Sequence, residues 1–195
     1  MKNQLSFKKI IIFNFLLLML FSLKSFSQEE NYNCYIKNIK NINEKTIEFD
    51  VFLEWTGTSS QKFTFFQAGI NFNYDVMAGG GVITGINKPG SSDPSLPNAQ
   101  QKLNWSINQS SKQIRLKTSI AMDSLAVSIP PPPGFRLGTF VMTNTVPFSK
   151  SSKPDFSWSF APGSSTMTKT MVTVYLNGTK TPKDVTNPKN HSVKE

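Results

Sequence analysis

Glu48, Asp50 and Glu54 are the residues of this 195-residue chain whose type and spacing suit acid–base chemistry. Glycoside hydrolysis needs two carboxyl groups flanking the scissile bond, one of them with a raised pKa. Carboxylates at i and i+2 along a strand share one face, however, and on an exposed sheet such a row is more often a solvated surface paired with cations. Arg115 and Lys117, on the polar face of another strand, are the expected partners. His191 is the only histidine and falls in a polar C-terminal stretch. A catalytic base must be held rigidly against its nucleophile, and a frayed end does not hold one. Cys34 is the only cysteine, so no internal disulfide and no cysteine–histidine metal spacing exists. A buried thiol near the start of the first strand is the plain reading, an intermolecular bridge the alternative. These residues argue against an enzyme.

Two kinds of binding chemistry remain. Asn71, Asn73 and Asp75, with Asp93 in a long loop, offer hard oxygen ligands that would suit Ca2+. The same alternation of Asn and Asp leaving a strand commonly serves only to form a turn. No other cofactor is implied. Sugars stack on exposed aromatic rings, so the faces of Trp55, Trp105 and Trp158 decide a second question. Each is in phase with an apolar stripe, which assigns it to the core. The aromatic residues left for a ligand surface are Phe52, Phe65 and Tyr74.

The elements that must position these residues are strands. In 46–55, Ile47, Phe49, Val51, Leu53 and Trp55 alternate with Glu48, Asp50, Phe52 and Glu54, a period of two that belongs to a β-strand. Residues 103–120 form a hairpin around the polar turn 109–112, with Leu103, Trp105 and Ile107 and then Ile114, Leu116, Thr118 and Ile120 on one face. Further strands are expected over 34–42, 63–73, 82–86, 135–144, around Phe156, Trp158 and Phe160, and over 172–176. Gly69 marks a bulge or a close backbone approach, and 135–144, apolar on both faces, suits a central strand. Long connections run through 88–101 and 121–134, and the second carries the run 130–133 of four prolines, which favours extended polyproline II. From about Lys180 the chain turns polar and basic and reads as a frayed tail. The sum is an all-β, two-sheet, jelly-roll-like sandwich of about eight or nine strands with no helix.

The N-terminus explains much of the charge. Lys2, Lys8 and Lys9 precede an apolar run over 10–23, and Ser25-Phe26-Ser27 offers a small-x-small cleavage site, so 1–27 reads as a signal peptide. The run is shorter than the ~20 apolar residues of a spanning helix, and no membrane span is expected after cleavage. The formal charge of +9 includes Lys2, Lys8, Lys9 and Lys24; without them 17 basic residues face 12 acidic ones. Those cations form no cluster interleaved with aromatics, which argues against nucleic acid. The expected organisation is a signal peptide over 1–27, a β-sandwich over 28–180 and a polar tail over 181–195, in a secreted or periplasmic protein. Four matches to the N-glycosylation sequon, at Asn104, Asn108, Asn177 and Asn190, are discounted as products of abundant Asn, Ser and Thr.

Taken in order, the segments 47–53 (IEFDVFL), 66–74 (FQAGINFNY), 136–148 (RLGTFVMTNTVPF), 155–162 (DFSWSFAP) and 174–178 (VYLNG) resemble the N-terminal cohesin-like domain of proteins exported by the type IX secretion system. The resemblance covers roughly 32–190. It implies a sandwich related to cohesins and to cellulose-binding carbohydrate modules, and it brings no catalytic residues. Such proteins usually continue into further β-domains and a C-terminal sorting domain, so passage to the cell surface rests on the resemblance alone. The resulting expectation is a non-catalytic recognition or adhesion module whose partner is a surface protein or a polysaccharide. A dedicated carbohydrate-binding module and a structural subunit packing through an edge strand are the alternatives.

Overall fold

The computed structural model describes residues 32–149, 153–160, 167–177 and 179–194. The segment 1–27, expected as a signal peptide, lies outside them. Eleven strands follow in chain order: β1 (Tyr32–Asn43), β2 (Thr46–Trp55), β3 (Lys62–Asn71), β4 (Ile83–Asn87), β5 (Asn104–Asn108), β6 (Gln113–Lys117), β7 (Phe135–Asn144), β8 (Ser157–Trp158), β9 (Met171–Tyr175), β10 (Pro182–Asp184) and β11 (His191–Val193). They form two sheets, as the alternating patterns imply. The five-stranded sheet runs β11-β1-β2-β7-β4, and the six-stranded sheet runs β10-β9-β3-β6-β5 with β8 added to β3. Every pairing is antiparallel except that of β1 with β11.

The inward faces supply the core. Ile47, Phe49, Val51 and Leu53 of β2 are buried, and so are Phe66, Ala68 and Ile70 of β3 and Phe140 and Met142 of β7. Aromatic rings cross the space between the sheets: Phe49 lies 4.6 Å from Phe156 and 5.5 Å from Phe140 between ring centres, and Phe140 lies 5.9 Å from Trp105. Trp55 is buried as its phase requires. Trp105 and Trp158 are only half-buried and pack against the core from β5, an edge strand, and from the two-residue β8. Alternation assigns a face, but at an edge less of the neighbouring layer covers it.

Gly69 is the close approach expected: a Cβ there would stand 1.9 Å from the Thr168 carbonyl oxygen. Gly85 is a second, for its Cβ would fall 1.7 Å from Trp105 Cη2. The indole of Trp105, from the edge of the six-stranded sheet, therefore rests on bare backbone of β4 at the edge of the five-stranded one.

Four further expectations are corrected. The stretch beyond Lys180 is not frayed. Pro182–Asp184 pairs with β9, a 3-10 turn follows at Pro188–Asn190 with the Asn187 side chain accepting from Lys189 N, and His191–Val193 lies along β1. These short strands also raise the count above eight or nine. A helix, α1 (Tyr74–Ala78), is present; its five residues are too few to show a period in sequence. The proline run is not uniformly extended either, since Gly134 N donates to Pro131 O across a turn that holds a cis Pro132–Pro133 bond. The fourth correction concerns the carboxylates of β2. Among the described residues, no helix is long and apolar enough to cross a membrane.

Candidate recognition face

The outer face of the five-stranded sheet gathers the charged residues of the sequence reading. Glu48, Asp50, Phe52 and Glu54 share the outward side of β2. Register places Lys40 of β1 beside Glu48 and Thr139 of β7 beside Asp50. The chain after β4 then runs alongside the first half of β7: Lys88 N donates to Thr139 O, Ser91 Oγ accepts from Thr139 N, and Asp93 N donates to Arg136 O. This segment walls one side of a cleft of about 640 Å³ lined by Asn38, Lys40, Glu48, Asp50, Lys88 and Arg136 among others.

The carboxylates are not solvated, contrary to the expectation for a row on an exposed face. Glu48, Asp50 and Glu54 are 8, 7 and 6% exposed. The cover comes from long cationic side chains and from the 88–93 segment, neither visible in the strand's own pattern. Lys40 and Lys88 each bind one oxygen of Glu48, at 2.8 and 3.0 Å. Asp50 accepts from Asn38 Nδ2 and Thr139 Oγ1, with Arg136 Nη1 4.0 Å away. Glu54 accepts from Asn33 Nδ2 and the Tyr35 hydroxyl, each at 2.9 Å. Arg115 and Lys117, the expected partners, lie on β6 of the other sheet.

Protonation follows the contacts. The hydrogen bonds from Lys40 and Lys88 hold the Glu48 carboxyl below its usual range, outweighing the cost of burial. The Tyr35 phenol is pushed up to about 12 by burial and by its bond to Glu54. A general acid of the glycosidase kind needs a carboxyl moved the other way. Replacing both Lys40 and Lys88 by Met should bring the Glu48 pKa back up toward or above the ordinary carboxylate value. A 13C-detected NMR titration of its carboxyl carbon would read this, and an unchanged low value would show that the lysines do not set it.

His191 and Cys34 meet in register across the parallel β11–β1 pair, a juxtaposition invisible to sequence spacing. It is not an activated couple. Burial pushes the Cys34 thiol well above its ordinary value and lowers His191 to about 4. A thiolate–imidazolium pair needs the opposite shifts, thiol down and imidazole up. The ring of His191 is instead packed edge-on among Tyr32, Trp158 and Phe160, with centre separations of 5.6, 5.2 and 4.9 Å.

The proposed aromatic ligand residues fall on separate elements. Phe52 stacks on Tyr35 with the planes 6° apart, and Lys37 Nζ covers it 3.8 Å from the ring centre. Phe65 is buried on the outward side of the other sheet, with Lys117 Nζ 5.9 Å from its ring. Tyr74 opens α1 and meets Phe72 edge-on. No common platform joins them. The oxygen ligands are likewise distributed. Asn71 accepts from Gln113, Asp75 is ion-paired with Lys112, and Asp93 accepts from the backbone and hydroxyl of Ser95. Asn73 stands at the N-cap of α1, where its side chain makes no capping bond. Among the described residues, no group of three or more His, Cys, Asp or Glu is placed to hold a metal ion.

Comparison with solved structures finds likeness to type II cohesins. A cohesin dyad from the adaptor ScaA scaffoldin of Acetivibrio cellulolyticus is 11% identical with a TM-score of 0.48, over 86% of this chain and 48% of that one. The chain thus spans about half the length of that dyad. An N-terminal interface mutant of a type II cohesin–X-dockerin complex from the same organism is 13% identical with a TM-score of 0.43, over 84% and 95% of the respective chains. The second type II cohesin module of the same ScaA adaptor is 12% identical with a TM-score of 0.42, over 84% of this chain and 86% of that one. No protein-family model matches the chain, and no curated protein does.

Proposed function

We propose that this domain is an exported, non-catalytic recognition module whose partner is another protein. One observation carries the reading: the carboxylates suited to chemistry are spent inside the fold, each on hydrogen bonds from its own neighbours, while cationic side chains stand above them toward solvent. A site arranged in this way is preorganised to bind and has no acid or base left for proton transfer. The resemblance of the sequence to cohesin-like domains points the same way, and export rests on the signal expected over 1–27.

Photo-crosslinking residues placed at Ile86, on the outer face of the five-stranded sheet, and at Lys117, on that of the six-stranded sheet, test the reading in the host cell. The expected result is a protein adduct at one of the two positions, whose purified partner binds the domain saturably in titration calorimetry. Retention on a polysaccharide with no protein adduct would instead make the domain a carbohydrate-binding module. Turnover of a glycoside lost in Glu48→Gln would make it an enzyme.

A further inference from the structure

The charges of this face are sorted by depth. The acidic groups of the cleft, Glu48 and Asp50, have side chains 10% exposed, whereas those of Lys40, Lys88 and Arg136 are 57, 55 and 41% exposed. What approaches from solvent therefore meets ammonium and guanidinium groups first. An ammonium has three N–H donors, so binding one Glu48 oxygen leaves Lys40 and Lys88 with donors to offer. Arg136 gives its Nε–H to Ser91 O, while its Nη1 is a full 4.0 Å from Asp50. Its outer nitrogens retain the fork that grips a carboxylate bidentately. The buried carboxylates fix these cations in place, which lowers the ordering cost of binding an anion. Farther along β1 the same sign continues, with Lys37 over Phe52 and Lys194 3.5 Å from the ring centre of Tyr35.

Building on the protein-partner reading, we infer that this cleft takes the carboxylate side chains of an acidic segment of that partner. The alternative anion of comparable size, a uronate-rich polysaccharide, would gain most where open aromatic faces let its rings stack. Tyr35 and Phe52 offer none, because they stack on each other and carry lysines above. An acidic polypeptide needs only the cations and the cleft.

Titration calorimetry of the purified full chain with poly-L-glutamate tests this directly. Binding is expected, and it should weaken as salt screens the charges. Lys88→Gln combined with Arg136→Gln should weaken it about tenfold or more. Lys117→Gln, which removes a cation from the other sheet's outer face, should change it by about twofold at most. If the double variant fails to fold by circular dichroism, Lys88→Gln alone, which leaves Glu48 paired with Lys40, carries the test. No binding to poly-L-glutamate overturns the inference. So does an equal loss in Lys117→Gln, which would mean diffuse net charge, or tighter binding to alginate, which would make the ligand an acidic polysaccharide. The crosslinking test of a protein partner is read separately: a protein adduct with no binding to poly-L-glutamate fails this inference alone, whereas tighter binding to alginate with no adduct fails both.

Discussion

Phe49→Ala should cost about 3–5 kcal/mol of stability, the range for emptying a fully buried aromatic site. Phe49 has no exposed surface and stands in the middle of the ring series Phe156–Phe49–Phe140–Trp105. Its removal takes away apolar burial and leaves a void against rings that belong to both sheets. Because close-packed interiors relax only in part, the void adds to the loss. Urea denaturation followed by Trp fluorescence would read the change as a lower midpoint with a similar slope. Phe52→Ala provides the contrast. Three residues away on the outward side of β2, it forfeits a stack with Tyr35 and the contact with Lys37, worth about 1 kcal/mol. Equal losses for the two variants would refute the inward and outward assignment of β2.

The second large effect is a loss of stability in mild acid through His191. Burial among Tyr32, Trp158 and Phe160 favours the neutral imidazole and lowers its pKa from 6.5 to about 4. Between those values the unfolded chain binds a proton that the folded chain does not. Stability from this residue is thus complete above pH 6.5, declines as the pH falls, and is gone below about pH 4. The full difference is roughly 3 kcal/mol. Glu48, held below its usual range by the lysines, adds an acid loss of its own at lower pH. His191→Phe keeps an aromatic ring in the site and removes the titration. Its stability should therefore be flat where the parent's slopes, between pH 6.5 and 4. Parallel curves for the two proteins would show that His191 titrates normally and that β11 does not bury it.

These two residues mark how far the sequence could be read. The position of Phe49 was legible because ten residues of β2 alternate without interruption, and the shorter strands of the β5–β6 hairpin alternate as well. A long strand carries its facing in its own pattern. His191 was not legible, since β11 has three residues and β10 three, both polar enough to pass for tail. Their order comes from partners far away in sequence, β1 and β9. The cleft was half legible. Alternation put Glu48, Asp50 and Glu54 on one face, but their burial depends on Lys40, Lys88 and the 88–93 segment, whose Pro, Gly and Ser read simply as loop. Cations that share no strand with Glu48 are assembled by register, and a single sequence does not print register.

The parallel pairing of β1 with β11 has a consequence for how the molecule comes to exist. The chain's first strand finds its outer neighbour only when the segment around His191 is available, and Tyr32 Oη then accepts the backbone N–H of Asn187. A polypeptide that emerges N-terminus first can join β1 to β2 early, but that outer edge stays open until the segment around His191 has followed. Contacts so distant along the chain close slowly, and an open strand edge invites the wrong neighbour meanwhile. The segment around His191 acts as a clasp, so completion of the sandwich waits on its late-emerging strand and not on the early pairing of β1 with β2.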